Sequence, residues 1–135
     1  MLISKIDNTG KLAWINKLPK RQEGTNSKGG LSFSYMNSGK DHYLVYLDNI
    51  KNKDLPINKQ PEVIKDQQVG WLSAYKIDDA TGEVRKYFMF DIDDFKGMSM
   101  YQFTTKRILQ TSRDEFMIEF YKKKKEDVYV KVKLP

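Results

Sequence analysis

Two charge clusters and one histidine are the residues of this chain whose types could do chemistry. Asp91-Ile92-Asp93-Asp94 puts carboxylates on both faces of an extended segment, and oxygen-rich clusters of this kind can hold calcium. The stretch lacks the central glycine and distal glutamate of a calcium-binding loop, so a solvated turn is the stronger reading; Asp91, Asp93 and Asp94 stand as weak metal candidates. The densest run of like charge is Lys122-Lys123-Lys124-Lys125, followed by Glu126-Asp127. With Lys106-Arg107, Lys20-Arg21, and Lys131 or Lys133, beside Tyr121 and Tyr129, it could make a basic face for single-stranded nucleic acid or an acidic glycan. Lys106, Arg107, Lys122, Lys123, Lys124 and Lys125 are therefore the anion-binding candidates. A lysine-rich hairpin tip that blocks edge-to-edge strand pairing accounts for the same run more simply.

Composition removes other chemistries. The chain has no cysteine, which excludes disulfides, thiolate catalysis and thiolate-ligated zinc. Its single histidine, His42, cannot supply the two or more His or Cys ligands a zinc site usually needs, and it reads as a strand-surface residue. No cofactor motif and no catalytic residue stands out, so the chain reads as a non-enzyme. A carbohydrate-active fragment is the weakest reading, because paired carboxylates would meet only in three dimensions. The net charge of +6 and pI near 9.3 favour anionic partners without specifying one. No apolar run approaches the roughly 20 residues that span a bilayer, so no membrane insertion is expected. Residues 1–7 lack a basic region followed by an apolar run, and no signal peptide is visible.

The elements that must position these residues are strands. Tyr43-Leu44-Val45-Tyr46-Leu47, Phe116-Met117-Ile118-Glu119-Phe120 and residues 128–134 read with a period of two, rich in aromatic and β-branched residues. Asn8-Thr9-Gly10, Asn37-Ser38-Gly39 and Asp79-Ala80-Thr81-Gly82 supply hairpin turns, with Asp7 and Asp78 expected to bind backbone amides in their own turns. Strands follow at 2–7, 11–17, 31–36, 42–48, 71–78, 83–91, 103–110, 115–122 and 127–134. Residues 91–100 read as a loop or wide crossing. Residues 49–70, with Pro56 and Pro61, form a connecting excursion that Val63-Ile64 could hold to the core; any helix is confined to one short segment there. Trp14, Trp71, Tyr46 and Phe120 are expected in the core. At 135 residues with 39% hydrophobic and 13% aromatic content, a single all-β domain over 1–135 is the expectation.

An internal repeat organises the pattern. Residues 5–12 correspond to 76–84, with one residue added in the turn, and residues 37–46 correspond to 110–119. The matches occur in the same order at nearly one offset, giving units at about 1–50 and 71–134. Each unit would be a four-stranded antiparallel meander like a propeller blade, the pair packed as a sandwich or as part of an incomplete propeller. The final strand resembles residues 72–77 and 2–6 as the strand that opens a unit.

The first hairpin, Ser4 through Trp14 followed by Leu18-Pro19-Lys20, and the later Tyr43-Leu44-Val45-Tyr46-Leu47-Asp48-Asn49 with Asn52, resemble repeats of bacterial exported β-propeller-like proteins. The resemblance implies a noncatalytic binding or scaffold module of a larger exported protein, with a periplasmic or cell-surface location. Binding to an anionic polymer through the lysine-rich faces is the alternative. Open sheet edges imply a protein partner or self-association. The bare N-terminal edge would pair with the C-terminal strand or with another copy.

Overall fold

The computed structural model describes residues 1–24, 32–65, 70–91, 98–99, 107–122 and 126–135. The fold is all-β, and its sheets are antiparallel apart from one short parallel pair. In chain order the strands are β1 (Leu2–Ile6), β2 (Leu12–Lys17), β3 (Gln22–Glu23), β4 (Ser34–Asn37), β5 (Asp41–Asp48), β6 (Ile64–Lys65), β7 (Trp71–Asp78), β8 (Val84–Asp91), β9 (Met98–Ser99), β10 (Ile108–Gln110), β11 (Glu115–Lys122) and β12 (Glu126–Lys133). A single 3-10 turn at Ile50–Asn52 lies inside the excursion, as expected.

Pairing sorts these strands into three layers. A four-stranded sheet, β4-β5-β7-β8, is central; a β1–β2 hairpin covers one face, and β10-β11-β12 with β9 covers the other. The sequence pattern places four strands in each unit. Instead, the four-stranded sheet joins β4–β5 to β7–β8 across the expected unit boundary, because β5 and β7 pair along all eight residues from Asp41↔Asp78 to Asp48↔Trp71. β4-β5-β7 and β10-β11-β12 run alike, with Tyr43 and Phe116 each in a middle strand and buried. β1 pairs with β2 and not with the C-terminal strand.

The period-two reading of residues 43–47 needs correction for a physical reason. An alternating strand faces core on one side only, whereas β5 and β7 are buried on both faces and so carry continuous apolar runs. Tyr43, Val45, Leu72 and Ala74 pack with Phe116, Ile118 and Phe120 of the neighbouring sheet. Leu44, Tyr46, Tyr75 and Ile77 point the other way, to Leu18, Ile3 and Trp14 at the hairpin. A fully buried side chain of this size contributes about 1.5–3 kcal/mol.

The turns behave as their chemistry requires. Asp7 Oδ1 accepts from the amides of Thr9 and Lys11, and Asp78 Oδ1 from those of Ala80 and Thr81. Gly10 and Gly82 hold φ of +83° and +74°, where a side chain is strained. Their surroundings differ. A Cβ on Gly10 would meet nothing within 4 Å, whereas one on Gly82 would lie 2.6 Å from Trp14 Cγ. Gly10→Ala should therefore cost about 1–2 kcal/mol, and Gly82→Ala about 1–3 kcal/mol more from overpacking. Urea denaturation of the two variants checks the ordering; equal losses would mean that Trp14 does not seat on that turn.

Candidate functional site

The residues singled out from sequence do not converge. Asp91 ends β8, Asp93 and Asp94 lie outside the described residues, and among the described residues no group of three His, Cys, Asp or Glu side chains could hold a metal. Arg107 pairs with Glu119, its Nη1 3.0 Å from Oε2. Lys131 likewise lies 3.3 Å from Glu115. The side chain of Lys122 and all of Lys106, Lys123, Lys124 and Lys125 fall outside the described residues.

His42 departs from the strand-surface expectation. Its Nε2 lies 2.7 Å from Asp79 Oδ1 and its Nδ1 2.8 Å from the Tyr35 hydroxyl. Lys5 Nζ donates to Asp79 Oδ2 at 2.6 Å, and Trp14 Nε1 donates to the Asp79 carbonyl at 3.1 Å. A tyrosine, histidine and carboxylate in line could orient a general base. Here the line runs from β4 through β5 to the β7–β8 turn, where Lys5 of β1 and Trp14 of β2 also bind Asp79, so the cluster fastens the hairpin to the central sheet. Hydrogen bonds from Lys5 and then His42 hold the Asp79 carboxyl below its usual range. A carboxylate depressed in the folded state adds stability above its unfolded pKa, and that stability is lost as pH falls through the lower folded value. Carbon-13 NMR titration should find Asp79 below its ordinary value of 3.8 and rising toward it in Lys5→Met. An unchanged titration would remove Lys5 as the cause.

A second polar cluster escaped sequence reasoning. Asp48 is 2% exposed and Asn52 fully buried. Asp48 Oδ2 lies 2.6 Å from Lys86 Nζ, and its Oδ1 accepts from Asn52 Nδ2 at 2.7 Å. Asn52 also donates to the Glu62 carbonyl and accepts from the Glu62 amide. This clasp closes the excursion on itself, and Ile64 is buried beneath it. Burial pushes the neighbouring Tyr46 phenol far above its usual range and that of Tyr75 up to about 12. The only sequence signal was the Asp48-Asn49 and Asn52 spacing; it carried no sign that the groups were buried together.

A cleft of about 800 Å³ lies between the base of the hairpin, the segment after β2, residues 57–61 and the β7–β8 turn. Its geometry follows from Leu18, which is fully buried, and from Pro19, whose carbonyl accepts from the Tyr75 hydroxyl at 2.7 Å. Lys17, Lys20, Arg21 and Lys59 are among the residues that line it. Lys20-Arg21 had been grouped from sequence with the lysine-rich tip; Lys17 and Lys59, far apart in the chain, had not been singled out. No protein-family model, curated protein or solved structure matches this chain.

Proposed function

We propose that the chain is a noncatalytic binding or scaffold module of a larger exported bacterial protein, in which β1 receives a strand from a neighbouring unit. The observation that carries this reading is the open edge of β1. β7 and β12, the strands that resemble β1 as unit openers, are each paired over eight residues with an earlier strand, β5 and β11 respectively. β1 has β2 alone.

The polarity of that edge follows from register. Met1 and Leu18 exchange both backbone hydrogen bonds, at 3.0 and 2.8 Å, so Ile3 and Lys5 also bond toward β2 in the antiparallel alternation. The backbone groups of Leu2 and Ser4 therefore point outward, with no strand partner among the described residues. The outer face beside them is apolar, with Leu2 70%, Ile6 65%, Leu12 59% and Ile15 58% exposed. An aliphatic face next to an unpaired strand is a surface that another β element would cover.

Light scattering should show wild-type chains associating as concentration rises, and Ser4→Pro, which deletes an outward donor, should be monomeric and folded. Ile3→Pro, which deletes a bond to β2, should instead loosen the hairpin. A wild type that stays monomeric at every concentration, or a Ser4→Pro variant that associates equally well, would overturn the reading.

A further inference from the structure

We infer that the cleft between residues 17–21, 57–61 and the β7–β8 turn is a binding site for an acidic peptide segment. Among the described residues, four basic residues, Lys17, Lys20, Arg21 and Lys59, line it against one carboxylate, Glu83. That carboxylate is already engaged by Arg85, at 2.8 and 2.9 Å, so it does little to offset the cleft's positive charge. Among the described residues neither Lys17 nor Lys59 has an acidic partner, and Arg21 reaches Glu23 only at 3.6 Å. Positive charge concentrated in a concavity raises the local concentration of an anionic ligand more than the same charge spread over a convex surface.

The rest of the lining selects among anions. Ile57 and Val84 give the cleft aliphatic surface, and among the described residues no aromatic side chain lines it. Single-stranded nucleic acid is held largely by stacking bases on aromatic rings, so this cleft lacks its main holding contact. An extended peptide with alternating carboxylate and aliphatic side chains matches both kinds of wall. Asn58 and Gln60, also among the lining residues, carry amides of the kind that hydrogen-bond a peptide backbone. Burial lowers the pKa of the Lys20 ammonium, which donates to Gln22 Oε1.

The test is fluorescence anisotropy of the whole chain with a labelled oligoglutamate peptide interrupted by leucines. Wild type should bind, with affinity falling as salt rises. Lys17→Gln/Lys59→Gln changes two exposed side chains and should weaken binding about tenfold or more. Lys11→Gln/Lys133→Gln, with the same loss of charge elsewhere, should leave it within about twofold. Equal weakening by both variants would show diffuse surface attraction and overturn the site. So would tighter binding of a single-stranded oligonucleotide of equal charge, or no binding of the peptide at low salt.

Discussion

Phe116→Ala should destabilise the chain by about 3–5 kcal/mol, the range for removing a large buried aromatic and leaving its cavity. Phe116 is fully buried between layers, in a cluster that draws Tyr43, Val45, Leu72 and Ala74 from the central sheet and Ile118 and Phe120 from its own strand. β11 cannot collapse into the space, because it is fixed by β10 on one side and β12 on the other. The exposed Leu109, on the adjacent β10, is the natural control: Leu109→Ala should cost well under 1 kcal/mol, as surface changes do. Chemical denaturation gives both numbers. Similar small losses would mean that the two sheets do not share a core.

The second large effect is expected at Lys86. Lys86→Met keeps the length and packing of the side chain but leaves the Asp48 carboxylate buried without its cation, a change worth about 3–5 kcal/mol. The asparagines at 49 and 52 still donate to Asp48, so the local fold should survive while its stability falls. Asp48→Asn/Lys86→Met removes the stranded charge as well and should recover much of the loss, a coupling that a double-mutant cycle reads directly. A Lys86→Met variant that loses less than about 1 kcal/mol would place this pair among ordinary surface ion pairs.

Local features were legible in the sequence. The spacing of Asp7 and Gly10, and of Asp78 and Gly82, set both turns, and strand limits at 71–78 and 115–122 match β7 and β11. Short elements were not. β3 and β6 have two residues each and form by parallel contact between segments about 40 residues apart, which leaves no periodic signal. Sheet membership was also hidden, since hairpin chemistry specifies neighbours across a turn and says nothing of β5 choosing β7 over a strand in its own unit. His42 looked like a surface residue because its partners come from β4 and the β7–β8 turn. The cleft was invisible for the same reason: Lys17 and Lys59, far apart in the chain, line one cleft only in the folded protein.

Amide hydrogen exchange along β1, read at low and at high protein concentration, tests most directly whether this strand is a docking edge. At low concentration Ile3 and Lys5 should be protected by β2, while Leu2 and Ser4 exchange freely. At high concentration Leu2 and Ser4 should gain protection together, and in Ser4→Pro the Leu2 amide should stay unprotected at both. Protection of Leu2 and Ser4 that is the same at every concentration would contradict the account.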